Sequence, residues 1–130
     1  MENNLITNSP FSLEEKSLRV HEARAVTLSK NIANSSTPNF KAQDIDFRAA
    51  LKQSLSASLT KTHANHLQLN SGSSGFNLED RATTKESLDG NNVDADKERA
   101  SFIENAIRYQ ASLAFTKRKA ALLTKAIKGD

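Results

Sequence analysis

The stretch Phe102–Ile127, FIENAIRYQASLAFTKRKAALLTKAI, decides the fold. Its positions Phe102, Ala106, Tyr109, Leu113, Thr116, Ala120, Leu123 and Ile127 alternate by four and three residues, and all but Thr116 are apolar. That spacing predicts a helix with one narrow buried seam. Ile103, Ile107, Phe115 and Leu122 widen the seam on its flanks. Asp94 and Asp96 stand where an N-cap and first-turn acids help, and Gly129 stands where a helix stops. From Asp96 to Lys128 such a helix is roughly 50 Å long. It outreaches any globule this chain can build, so its seam needs a partner along most of its length.

A weaker helix is predicted in the N-terminal third. Phe11, Leu18, Ala25 and Ile32 recur every seven residues, with Leu28 between two of them and Glu14 and His21 at the remaining seam positions. Ser12 and Glu15 have the spacing of a capping box, while Ser9-Pro10 offers a different start with Pro at the first helical position. Asn34-Ser35-Ser36-Thr37-Pro38 ends the helix, because proline removes a donor and disfavours helical backbone before it. Asn34 is the residue expected to close it in a left-handed conformation. A shorter amphipathic helix starts at Asp46, with Phe47, Leu51 and Leu55 at i, i+4 spacing.

The middle is polar. Asn70-Ser71-Gly72-Ser73-Ser74-Gly75 reads as a loop and Asp89-Gly90-Asn91-Asn92 as a turn, while Thr60–Leu69 suits a short strand or hairpin arm. The predicted fold is mainly α: two long terminal helices packed as a coiled-coil-like hairpin around a small irregular insert of some β content. The segments are an N-terminal helix in 1–36, the insert in 37–96 and a C-terminal helix in 97–130, together one domain.

Composition bounds the rest. The 130 residues suffice for one small domain, and Leu, Ile, Val and Phe make up only about 22% of them, so a large self-contained core is excluded. With no cysteine there is no disulfide framework and no thiolate site. Met1–Pro10 lacks the basic and apolar regions of a cleavable signal peptide, and no apolar run is long enough to insert in a membrane. The net charge of +3 is a weak pointer to nucleic acid. No catalytic, cofactor or metal site is expected. His63 and His66 lie at i, i+3 without a nearby carboxylate, His21 has no motif-placed nucleophile beside it, and no glycine-rich phosphate loop is present. Lys117-Arg118-Lys119 points in three directions around a helix, which suits a solvated face better than a nucleic-acid or membrane stripe. Two helices alone bury little, so self-association through the seams is the physical expectation.

The tract Asn31-Ile32-Ala33-Asn34-Ser35-Ser36-Thr37-Pro38-Asn39-Phe40-Lys41 resembles the N-I-A-N-x-x-T-P-x-[FY]-K signature of bacterial flagellar axial proteins, those of rod, hook and hook junction. Within that group, Asp44-Ile45-Asp46-Phe47 and the tract from Asn92-Val93-Asp94 through Glu98-Arg99 to Asn105–Gln110 are similar to the FlgB family of proximal rod proteins. The resemblance covers about residues 10–55 and 90–129. The insert departs from it, since Thr62-His63-Ala64-Asn65-His66-Leu67 carries Ala64 where rod proteins often have proline. The resemblance implies a non-enzymatic structural subunit of the basal-body rod, exported unfolded through the flagellar type III apparatus without a cleaved signal. It implies self-assembly through the terminal helices, with other proximal rod proteins and the FliE adaptor as neighbours, no nucleic acid and no membrane insertion. The residues assigned to the assembly seam are Leu18, Ala25, Leu28, Ile32, Phe102, Ala106, Tyr109, Leu113, Ala120, Leu123 and Ile127. The axial motif is carried by Asn31, Ile32, Ala33, Asn34, Thr37, Pro38, Phe40 and Lys41. The competing reading is a small basic helical nucleic-acid-binding protein.

Overall fold

A computed structural model describes residues 9–59, 75–81 and 87–129. Its elements, in chain order, are α1 (Ser12–Ala33), β1 (Gln43–Asp44), α2 (Phe47–Leu59), β2 (Glu79–Asp80) and α3 (Ala95–Lys128). The fold is mainly helical with a small antiparallel sheet, as the sequence predicts. β1 and β2 pair Gln43 with Asp80 and Asp44 with Glu79. The Thr60–Leu69 strand or hairpin arm lies outside the described residues.

The two long helices run antiparallel, since His21 meets Asn105, Asn31 meets Glu98, and Glu14 meets Lys119. Their lengths differ. The 22 residues of α1 span about 33 Å and the 34 of α3 about 51 Å, so α3 extends past the start of α1. The predicted start and stop of α3 hold. The Asp94 side chain accepts from the N–H groups of Asp96 and Lys97, and Gly129 closes the helix at φ 77°.

The ends of α1 differ from expectation. Phe11 is the N-cap and makes no side-chain cap bond, so the Ser12/Glu15 capping box is absent. Ser9 does the work instead: its hydroxyl accepts from the Phe11 N–H at 3.3 Å and its carbonyl from the Ser12 N–H at 3.0 Å. That tight turn carries Ser12 inside the helix, where it cannot cap. At the other end Asn34 has φ −100°, not a left-handed conformation. Its side chain donates to the Lys30 carbonyl at 2.8 Å and so terminates the helix without reversing the backbone. The left-handed residue comes later, at Asn39 with φ 61°.

The core is small. Val20, Ala23, Ile45 and Ala50 form its buried centre, with Phe47 and Phe76 packed against it. Leu28 is fully buried, a contribution of roughly 1.5–3 kcal/mol. α2 adds the faces of Phe47 and Ala50 and leaves Leu55 largely outside.

Candidate assembly site

The motif 31–41 is held by polar side chains from the far half of the chain. Asn31, 1% exposed, donates through Nδ2 to the Gln43 carbonyl at 2.7 Å and to the Glu98 carboxylate at 2.9 Å, and accepts the Gln43 N–H at 3.1 Å. It therefore pairs with Gln43 as a strand residue would, and joins α1 to α3 with the same amide. Only a side chain with both a donor and an acceptor can do this.

Behind Asn31 lie alternating charges. The Arg24 guanidinium grips Asp44 with two bonds of 2.8 and 2.9 Å, Arg81 reaches the same carboxylate at 2.5 Å, and its other nitrogen bonds Glu98. Two cations thus meet two carboxylates, and the bidentate geometry makes these among the stronger hydrogen bonds available. Burial pushes the Asp44 carboxyl up, but the hydrogen bonds from Arg24 and Arg81 outweigh it and hold the group below the usual range. One sheet residue, one loop residue and both long helices are locked together.

Asn91 completes the clasp. Its amide donates to the carbonyls of Asn34, Ser35 and Thr37 at 3.0, 3.2 and 2.8 Å, and its carbonyl oxygen accepts the Val93 N–H at 2.7 Å. Asn92 accepts the Ala42 N–H at 2.6 Å and sends its own N–H to Phe40. Lys41 donates to the Gly90 carbonyl at 2.7 Å, and Asn39 donates its N–H to Asp89 at 2.9 Å. Ile32 is half-buried, whereas Ala33, Thr37 and Pro38 face solvent and Phe40 is half-buried.

The seam between the long helices has a polar centre. Asn105 accepts from His21 Nδ1 at 2.9 Å and donates to the His21 carbonyl, and the His21 ring stacks on Phe47 with centroids 4.6 Å apart. Glu98 and Asn105 are the fully buried residues of α3, with Leu18, Ala25, Ile32, Phe102, Tyr109, Leu113 and Ala120 half-buried around them. Ala106 lies off this line and is exposed, because a helix of 3.6 residues per turn drifts from a strict seven-residue repeat. Leu123 and Ile127 are exposed, Ile127 to 85%. Here α3 has outrun α1, and every residue from 121 to 129 is exposed.

Glu14 occupies the seam by pairing with Lys119 at 2.6 Å; that hydrogen bond lowers its pKa. Lys119 also donates to the Pro10 carbonyl at 2.5 Å and lies over the Phe11 ring. One of the three consecutive cations is thus committed inside the molecule, and the run is not a patch. Among the described residues no three His, Cys, Asp or Glu side chains converge as metal ligands, and no helix is long and apolar enough to cross a membrane. His63 and His66 lie outside them.

Outside the seam, Ile103, Ile107, Phe115 and Leu122 are all at least 60% exposed along α3. The sequence pattern assigned them to flanks of a buried stripe, whereas they form an uncovered apolar face.

No family model matches the chain. Curated relatives do. The chain is 38% identical over 123 residues to the flagellar basal body rod protein FlgB of Aeromonas hydrophila, covering 92% of this chain and 93% of the relative. The FlgB of Cereibacter sphaeroides is 40% identical over 121 residues, at 92% and 94% coverage. That of Escherichia coli is 34% identical over 116, at 82% and 84%. The chain belongs to the FlgB family. A match over 92% of the chain takes in both of the ends that meet in space. Arg24, Asp44, Arg81, Glu98, Asn91 and Asn105, which build the clasp, were not legible from local pattern. Glu98 and Asn105, four residues before and three after Phe102, share its helix face, and that is the local signal they carried.

Proposed function

We propose that this chain builds the proximal rod by packing its two long helices against those of neighbouring subunits, carrying torque across the periplasm. As a FlgB family member it is a structural subunit of the flagellar basal-body rod. The observation that carries the reading is the 38% identity over nearly the full length of both proteins. The exposure of Ile103, Ile107, Phe115 and Leu122 on α3, each at least 60%, supports it, since exposed apolar side chains gathered on one element mark interaction surfaces. Leu18, Ala25, Leu28, Ile32, Phe102, Ala106, Tyr109, Leu113, Ala120, Leu123 and Ile127 are the assembly seam, and the segments 1–36, 37–96 and 97–130 make one domain. The part is mechanical, with no reaction of its own. Its neighbours are the other proximal rod proteins and the FliE adaptor, and it reaches them through the flagellar type III export apparatus.

The experiment is purification of hook–basal bodies from a strain whose own copy is replaced by a tagged one. Recovery of the tagged chain in the rod, with restored swimming, is the expected result. A swimming strain whose basal bodies lack the chain would overturn the reading.

A further inference from the structure

α1 and α3 leave a groove on one side, closed above by the small sheet and the start of α2. It encloses ≈ 840 Å³ and its walls include Ser17 and Arg24 of α1, Glu104 and Ala111 of α3, and Glu79 and Asp80 of β2. Its cations are all engaged: Arg24 and Arg81 with Asp44, Arg81 also with Glu98, and Arg108 with Glu104. Three exposed carboxylates at the mouth, Asp46, Glu79 and Asp80, have no lysine or arginine within ion-pair distance among the described residues. The groove is therefore net acidic. Below it the same helix faces turn apolar. Leu13 lies one turn before Ser17 on α1, and Phe115 lies one turn after Ala111 on α3; they are 48% and 60% exposed.

The tip of α3 is the complement. From 111 to 129 the chain carries Lys117, Arg118, Lys119, Lys125 and Lys128 and no acidic residue. Beyond Ala120 every residue to 129 is exposed, and Leu122, Leu123 and Ile127 share those turns with Lys125 and Lys128. It is an amphipathic, cationic helix end matched to a groove that is acidic above and apolar below.

We infer that the last two turns of α3 of one copy seat in the α1–α3 groove of a second copy, with Lys125 and Lys128 toward Asp46, Glu79 and Asp80. Tip and groove are different surfaces, so the contact is head-to-tail, and such contacts propagate into open helical arrays unless they close a ring. The inference rests on the reading of the chain as a self-assembling rod subunit and names the surfaces it uses.

The chain has no cysteine, which permits a clean cross-linking test. Ile127→Cys and Glu79→Cys are made separately, carry different tags, and are mixed at high concentration under mild oxidation. Both positions are exposed, so circular dichroism should match the parent. The expected product is the mixed 127–79 dimer, several-fold above either homodimer and above a Leu88→Cys control mixed with Ile127→Cys. Raised salt should lower its yield, because these charges are exposed to screening. Lys125→Glu with Lys128→Glu in the tip copy should lower it too, and Asp80→Lys in the groove copy should restore part of it. Absence of the mixed dimer, dominance of the 127–127 homodimer, or a yield indifferent to salt and charge reversal overturns the inference. Recovery in hook–basal bodies is read separately, so loss of the cross-link with the chain still in the rod refutes only this contact.

Discussion

Asn31 and Glu98, 67 residues apart in sequence, share a 2.9 Å hydrogen bond between two side chains that are each only 1% exposed. The amide is the donor, and the carboxylate takes a second bond from Arg81. The first helix is therefore keyed to the last by one asparagine whose oxygen is simultaneously occupied by Gln43.

Asn31→Asp replaces that donor with a second carboxylate facing Glu98 and the Gln43 carbonyl. We expect a loss of about 3–5 kcal/mol, the range for a buried charge left unpaired. Asn31→Ala should cost less, about 1–3 kcal/mol, because it removes bonds without adding charge. Thermal unfolding reads the difference at about 4 °C per kcal/mol. The order would be reversed if Glu98 were carried by Arg81 alone.

Gly90 sits at φ 75°, and a Cβ there would stand 2.5 Å from Asn39 Oδ1. Gly90→Ala should cost about 1–2 kcal/mol from the left-handed backbone alone, plus the clash. Asn39→Gly keeps its own φ of 61° accessible and removes the obstructing side chain. In the Asn39→Gly background the Gly90→Ala penalty should shrink, a coupling that a double-mutant cycle in urea measures. Strict additivity would show that the two residues do not touch.

Asp44 titrates below the usual carboxylate range; burial opposes this, and the bonds from Arg24 and Arg81 prevail. Between its folded value and about 3.9 the unfolded chain binds more protons, so stability rises with pH there. The contribution is complete above about pH 5 and is lost as pH falls through the folded value. Glu14, lowered chiefly by its hydrogen bond with Lys119, acts in the same direction. Melting temperatures from pH 2 to 6 should fall steeply on the acid side. Asp44→Asn should start lower at neutral pH and show a shallower acid slope.

Leu113→Asp and Leu88→Asp separate helix packing from insert surface. Leu113 is half-buried on the seam, whereas Leu88 is fully exposed. The first change forfeits about 1.5–3 kcal/mol of burial and places a charge between helices, so swimming should be lost while secretion continues. The second should stay within about 0.5 kcal/mol and leave swimming intact. Swimming Leu113→Asp cells would remove the seam from the mechanism.

What the sequence made legible follows the range of the interactions. α3 could be read because its signals are local: Asp94 caps residues two and three positions on, and Gly129 closes the last turn. The apolar spacing placed Phe102, Tyr109 and Leu113 on one face, and they are. Glu98 and Asn105 sit at equivalent positions, yet nothing within a few residues reveals that Asn31, Arg81 and His21 will meet them. Asn34 is expected to be the left-handed residue, and the positive φ falls at Asn39 instead. Asn34 was already occupied, its side chain bonding the Lys30 carbonyl one turn back. Some β content is expected in the insert, but its place is not legible, because each strand has two residues and is set by Asn31 and Asn92, not by alternation.

The span of the clasp sets an order of events for a chain that emerges N-terminus first. Any nascent segment ending before Glu98 leaves the amide of Asn31 bonded to Gln43 only, and one ending before Arg81 leaves Asp44 with Arg24 as its one guanidinium partner. The carbonyls of Asn34, Ser35 and Thr37 likewise wait for Asn91. Contacts this distant in sequence form late and slowly. The leading half thus gains its last ties, from Asn91 and Glu98, only once the trailing helix has arrived.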